Sequence, residues 1–307
     1  MTQKPYDSPV LDEIRKKIDV LDTRLHETLI ERAELVLKVG EEKRKNNIEV
    51  VQPAREARMI RRLLSNHHGV LPEMAVVRIW RELVGAVSLL QTGLKVIVAD
   101  TDKNTAYWDL AKDYFGSCLP MTRADTVFSA IKAVQEGRVT FAVVPYPSGT
   151  TEQTDTLLWW ENLEAGTENA ISISVRLPHG DDPELENPEH KALVISKGGF
   201  DSSDDDNSFI YIECDSTISR GRLVETIEEA SLKPVSITSK PDGGDMRKHL
   251  VEVEGFVKTQ DDAISSMVDG LGVDTTIIHC VGGYPVPPTY KKTIQAQEND
   301  FPSAPKE

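Results

Sequence analysis

Three cations interrupt an apolar seam near the start of this chain. Arg15, Ile18, Asp22, Leu25, Leu29, Arg32, Val36, Val39 and Lys43 follow one another at spacings of three or four residues, which puts them on one face of a helix. A long cation inside an apolar seam is desolvated unless it meets an anion. Each such position is therefore ion-paired, snorkels to solvent, or waits for an anionic ligand. Arg32 and Lys43 are separated by about 16 Å of helix, so two long side chains leaning toward each other can grip one small dianion. Arg15 lies roughly 26 Å from Arg32 and cannot reach the same ligand within one chain. In an antiparallel pair of such helices it enters the other copy's site. Arg55 and Glu56 stand in the first turn of a second helical pattern, and Gln91 closes a third.

The elements that must carry these groups are legible. Ser8 before Pro9, with Asp12 and Glu13 following, marks a helix start, and the spacing predicts one helix over 8–45, about 55 Å long. Gln52-Pro53 opens a second helix ending near Ser65, and Pro72 opens a third that runs to Gly93. Three such helices do not enclose a core alone, which predicts an intertwined homodimer with composite sites. Past Gly93 the pattern changes. Apolar runs at 95–99, 140–144, 171–175 and 192–195 predict strands, with helices over 105–115 and 124–136. From 209 to 285 the order is strand, helix, strand, strand, helix, strand, a ferredoxin-like βαββαβ unit. Residues 181–189 and 201–208, rich in Asp, Glu, Pro and Ser, are expected to be exposed loops. Asp204-Asp205-Asp206 lacks calcium-loop spacing and is expected to be solvated. Trp159-Trp160 is expected to pack in a core or interface. The fold class is multidomain: an all-α part over 1–93, an α/β region over 94–200, the βαββαβ domain over 205–287 and a flexible tail over 288–307.

Composition narrows the function. The formal charge is -15, but residues up to Gly93 carry 16 basic against 14 acidic groups, and the remainder 19 against 36. Most of this surface repels a phosphate backbone, so no nucleic acid is expected as partner. An anionic small molecule is drawn to the helical part. Cys118, Cys214 and Cys280 are odd in number and far apart, which favours a reducing compartment. No metal-ligand spacing joins the seven histidines, so no metal and no cofactor is expected. With no apolar run of membrane-spanning length and no apolar stretch at the N-terminus, a cytoplasmic protein without membrane association is expected.

The stretches IRKKIDVLDTRLHETLIERAELVLKVGEEK, QPAREARMI and IWRELVGAVSLLQ resemble the all-helical class of chorismate mutase over residues 10–92. Arg15, Arg32, Lys43, Arg55, Glu56 and Gln91 fall where that family's functional residues fall. The resemblance implies an isomerase that rearranges chorismate to prephenate in aromatic amino acid biosynthesis. Arg32, Arg55 and the second copy's Arg15 bind carboxylates, Lys43 and Gln91 donate to the breaking ether oxygen, and Glu56 accepts from the substrate hydroxyl. Gln52 and Val87 depart from the family, which often has an acid and a serine at those places.

Residues 94–200 are similar to the catalytic, periplasmic-binding-like region of prephenate dehydratase, and 205–287 to its ACT domain. The polar motifs are eroded. Tyr146-Pro147-Ser148-Gly149 replaces an acid, an amide and a hydroxyl, His190-Lys191-Ala192 replaces Thr-Arg-Phe, and Asp100-Thr101-Asp102-Lys103 replaces a Gly-rich turn. The expectation is a dehydratase-like region that no longer dehydrates. Gly221, Leu223, Ser239 and Lys240 stand where the ACT resemblance places amino-acid-binding motifs, so an aromatic amino acid effector is one expectation and a purely structural role the other. Two further readings stand beside the mutase: a bifunctional chorismate mutase and prephenate dehydratase, and a non-catalytic amino-acid-sensing dimer. Seam cations speak against the last, since dimerisation alone favours leucine there.

Overall fold

The computed structural model describes residues 8–46, 48, 51–99, 105–147, 155–163, 166–167, 170–181, 191–240, 244–272 and 276–291. The chain divides into two compact units, Met1–Val50 with Val87–Gly93, and Val51–Ala86 with Leu94–Glu307.

In the first unit, α1 (Pro9–Lys45) is a single helix of 37 residues. Pro9 at its first position and extended backbone at Ser8 set its start, and the backbone N–H of Asn46 closes it on carbonyls of the last turn. Most of α1 is exposed. Its partly shielded positions, Leu29, Arg32, Ala33, Val36, Gly40 and Lys43, form one stripe at helical spacing. Gly40 is the buried residue of the helix. The last turns of α3 (Glu73–Thr92) belong to the same unit.

In the second unit, α2 (Pro53–Ser65) and the first part of α3 accompany a nine-stranded sheet. Its strands are β1 (Val96–Val98), β2 (Met121–Arg123), β3 (Phe141–Pro145), β4 (Ser172–Leu177), β5 (Ala192–Ser196), β6 (Asp206–Asp215), β7 (Pro234–Ser239), β8 (Met246–Glu254) and β9 (Ile277–Pro285), and their order is β2-β1-β3-β5-β4-β9-β6-β8-β7. β1 pairs parallel with β2 and β3, and β5 pairs antiparallel with β3 and β4. The helices are α4 (Ala106–Phe115), α5 (Val127–Gln135), α6 (Arg220–Glu229) and α7 (Asp262–Leu271). Residues 206–285 run β6-α6-β7-β8-α7-β9 with neighbours β9-β6-β8-β7, every pair among these four antiparallel. That is the order expected for the ferredoxin-like unit.

Period-two alternation sorts side chains into two cores. From β6, Phe209 and Tyr211 join a core with Trp159, Trp160, Ile173 and Ile195, while Ile210, Ile212 and Cys214 join one with Leu223, Ile227 and Met267. Trp159 and Trp160 are fully buried, as expected, and Trp159 Nε1 donates to the Pro145 carbonyl at 2.8 Å. The sheet is continuous because β4 meets β9 in parallel at Ile173 and Gly282. There a Cβ on Gly282, whose φ is +105°, would stand 2.2 Å from the Ile173 carbonyl oxygen. Glycine alone allows that approach.

Three expectations need correction or addition. The loop expected over 201–208 ends early, because β6 begins at Asp206. Asp206 is 4 % exposed rather than solvated. Its carboxylate accepts from the Ser203 backbone N–H at 2.7 Å and from the Ser202 and Ser203 hydroxyls, enough donors to replace water. Residues 288–291, expected to begin a flexible tail, are held. Asp181 N–H donates to Pro288 O at 2.9 Å, Tyr290 N–H to Asp181 O at 3.0 Å, and Lys291 N–H to Glu73 at 2.8 Å. Prolines 285, 287 and 288 favour such an extended run, since their φ is preset and they leave no N–H unpaired. Residues 182–189 and 292–307 lie outside the described residues. The spacing also missed β2 and a 3₁₀ helix at Asp155–Asn162. β2 is three residues long with two exposed side chains, too short for an alternation to show.

Candidate functional site

In the first unit, α1 carries three of the six expected site residues. Arg15 is exposed and reaches Asp12 at 3.4 Å, one turn away. A surface pair of that kind holds little energy, so the guanidinium is free to be redirected. Arg32 and Lys43 lie on the shielded stripe, both half-buried. Gln91, on the last turn of α3, lies against that stripe. Its amide nitrogen donates to the Val36 carbonyl, and Arg44 Nη1 donates to the Gln91 carbonyl at 3.1 Å. Four of the six, Arg15, Arg32, Lys43 and Gln91, therefore belong to one unit.

Gly40 makes room for that amide and was not singled out from the sequence. A Cβ there would meet Gln91 Nε2 at 2.6 Å and Cδ at 2.8 Å. The available signal was a glycine inside a long helix, which costs about 1 kcal/mol relative to alanine and so asks for a reason. Gly40→Ala is expected to raise helix stability by roughly 0.5–1 kcal/mol while displacing Gln91, so that catalysis falls by about 10²-fold. Thermal unfolding measures the first, and the rate of the rearrangement that the family resemblance implies measures the second. A variant with full turnover would show that the seat of Gln91 is immaterial.

The second unit holds the other two. Arg55 is exposed on α2, and the neighbouring Glu56 turns inward, its side chain 15 % exposed. Glu56 Oε2 accepts from Arg81 Nη1 at 2.7 Å, and Arg81 is 5 % exposed, its guanidinium 4.2 Å from the centre of the Tyr114 ring. Burial works against the Arg81 charge, but Tyr114 and Glu56 more than offset it and hold its pKa above the ordinary value. Burial also pushes the Tyr114 hydroxyl up, keeping it protonated. Sequence reasoning missed Arg81. It stands among Ile79, Trp80 and Leu83, and a cation inside an apolar helical pattern was the signal.

The remaining expected positions are engaged within the fold. Leu223 is 1 % exposed, in the core beneath α6, and Gly221 sits in the first turn of that helix. Ser239 Oγ bonds His249 Nδ1 at 2.8 Å, and Lys240 Nζ pairs with Glu161 at 3.1 Å. Tyr146, at the eroded polar turn, donates to Glu252 Oε2 at 2.5 Å. Glu252, 2 % exposed, also accepts from Ser236 and Asn207, both at 2.9 Å, and from the Tyr284 hydroxyl. Ala192 is buried at the start of β5. Ser148, Gly149, His190 and Asp100–Lys103 lie outside the described residues.

Residues 14–92 match the family model described as chorismate mutase type II. The chain is similar to the bifunctional chorismate mutase/prephenate dehydratase of Aquifex aeolicus, 30% identical over 186 residues that cover 58% of this chain and 51% of that protein. It is also similar to the protein of the same description from Pseudomonas aeruginosa, 30% identical over 152 residues, covering 47% of this chain and 40% of the other. The chain spans about half the length of the curated relatives it matches. Among solved structures, a prephenate dehydratase from Streptococcus mutans aligns with a TM-score of 0.43 at 15% identity, covering 64% of this chain and 98% of that one. The chain thus carries a helical chorismate mutase type II domain, followed by an α/β sheet region.

Proposed function

We propose that this chain is a chorismate mutase whose sheet region no longer performs dehydration. The observation that carries the reading is the family match over residues 14–92, within which Arg32, Lys43 and Gln91 cluster on or beside one half-shielded stripe of α1. Converting chorismate to prephenate is an intramolecular [3,3] rearrangement: one carbon–oxygen bond breaks as one carbon–carbon bond forms, with no nucleophile and no proton transfer. The protein has to hold two carboxylates so that the molecule folds into a chair, an orientation effect. It also has to stabilise negative charge developing on the ether oxygen. Lys43 and Gln91 donate to that oxygen. Arg32 and Arg15 of a second copy bind carboxylate, and Arg55 and Glu56 keep the roles that the family resemblance implies.

A homodimer is part of this reading. Val10, Ile14, Ile18, Leu21 and Leu25 are between 47% and 66% exposed on α1. Fully burying each would contribute on the order of 1.5–3 kcal/mol. A second antiparallel copy buries such a stripe and delivers Arg15 at the distance the helix demands.

Loss of dehydration is supported by Tyr146, Pro147 and Ala192. Expelling water and carbon dioxide from prephenate needs a positioned proton donor for the leaving hydroxyl. The Tyr146 hydroxyl is committed to Glu252, and Pro147 and Ala192 have no side-chain donor. The ACT-like domain over 205–287 belongs to the same proposal and is supported by the βαββαβ order. Of its expected effector residues, Gly221, Ser239 and Lys240 are the contacts proposed, the alternative being a purely structural role, while Leu223 is in the core. The test is to incubate the chain with chorismate, and separately with prephenate, at neutral pH and to identify products against a no-enzyme control. Prephenate is expected to accumulate with no enzyme-dependent phenylpyruvate. Phenylpyruvate formed as fast as prephenate would replace this reading with the bifunctional one.

A further inference from the structure

A small cavity in the second unit, lined by none of the six residues assigned to the mutase but joined to Glu56 through Arg81, is lined by Arg61, Arg81, Tyr114 and His179 and walled by Pro285–Pro288. Its volume is about 30 Å³, room for roughly two water-sized groups. That is the space taken by the two oxygens of one carboxylate.

The polar groups around it are incompletely satisfied by the protein. Among the described residues, both ring nitrogens of His179 and Arg81 Nε are buried without a hydrogen-bond partner. Glu56 occupies only Nη1 of Arg81. Arg61 donates to the Ser203, Asp205 and Val286 carbonyls and the Ser203 hydroxyl, so its charge is solvated by neutral dipoles and meets no carboxylate in any of these bonds. None of the described lining residues is acidic. The Arg81 charge is balanced by Glu56, so the positive potential of this partly enclosed space comes from Arg61, and orphaned buried donors are costly until an acceptor arrives.

We infer that this cavity is a binding site for a small carboxylate, held by Arg81 Nε–H and a His179 ring N–H, with Arg61 supplying charge and the prolines walling the space. A carboxylate has two oxygens and so can accept from donors on two side chains that line one cavity. His179 is fit to donate while neutral: burial first, then Arg81 and Arg78, push its pKa down to about 3. Both cations are paired, Arg78 with Asp113 at 2.9 Å and Arg81 with Glu56 at 2.7 Å, which leaves the Arg81 Nε–H for the ligand.

Sodium formate is the probe, titrated into the full chain at neutral pH and constant ionic strength, with sodium chloride as the comparison arm. Formate is expected to shift the His179 ring resonances saturably and to raise Tm. Those resonances are identified as the ones missing from the His179→Gln spectrum. Apparent affinity is expected to fall roughly tenfold or more in Arg61→Gln. The Tm rise should vanish in His179→Phe, which fills the space, or in His179→Gln if phenylalanine is not accommodated. Chloride is expected to leave both readouts at baseline. No saturable response, an equal response to chloride, or an unchanged Tm rise in the His179 variants overturns the assignment.

Discussion

Arg15→Ala protein and Arg32→Ala protein, each nearly inactive alone, are expected to recover about a quarter of the parental mutase rate when mixed under conditions of subunit exchange. The fraction follows from geometry. About 26 Å of helix separates the two arginines, so in the proposed dimer one site takes Arg32 from one chain and Arg15 from the other. Random exchange makes half of the dimers mixed, and each mixed dimer holds one site with both arginines and one with neither. In the monomer Arg15 is exposed and loosely paired to Asp12, so removing it disturbs no core and its loss is read in turnover. Each single variant should lose roughly 10²-fold or more, since removing one arm of a carboxylate clamp forfeits orientation. The measurement is chorismate turnover before and after exchange, with exchange itself followed by native mass spectrometry. Complete exchange without recovered turnover would remove the cross-chain assignment.

Gln91→Glu is expected to turn a flat pH profile into one that falls as pH rises, with a loss of about 10²–10³-fold at neutral pH. A neutral amide donates a hydrogen bond whatever the pH, whereas a carboxyl donates only while protonated. The amide nitrogen of Gln91 faces the Val36 carbonyl oxygen, an acceptor that repels an ionised carboxylate and favours the protonated acid. Activity of the variant should therefore persist below the raised pKa of the new group and disappear above it. Comparing kcat across pH for parent and variant checks this, and identical profiles would place Gln91 away from the ether oxygen.

Much of the candidate site was legible because its residues lie at helical spacing on single elements. Arg15, Arg32 and Lys43 share α1, and both the start of that helix at Ser8-Pro9 and its apolar stripe are local signals. Gln91 was legible as a residue but not as a neighbour: its bond to Val36 joins positions 55 apart in the chain. The seat at Gly40 follows from that contact. Arg81 was overlooked because the helix pattern says only that the position faces inward, while the partner that neutralises it, Glu56, comes from another helix. Asp206 was misjudged since a run of three aspartates resembles solvated loop in composition. Its burial depends on the two serines that turn back onto it.

The sequence by itself determined the helices and nearly all of the strands, the sign of the charge on the helical part, and which cations and amide are proposed to hold a dianionic substrate. These follow from periodicity, proline and capping residues, and side-chain chemistry, each of which acts within a few residues of chain. Only the tertiary structure decided that one sheet runs from β2 to β7, through the single approach of Gly282 to Ile173. It also decided that Tyr146 is spent on Glu252, 106 positions away, and that His179 and Arg81 line one small cavity. Such pairings depend on which distant segments meet. Meeting is settled by loop closure and by the fit of whole faces against each other, and no local pattern encodes it.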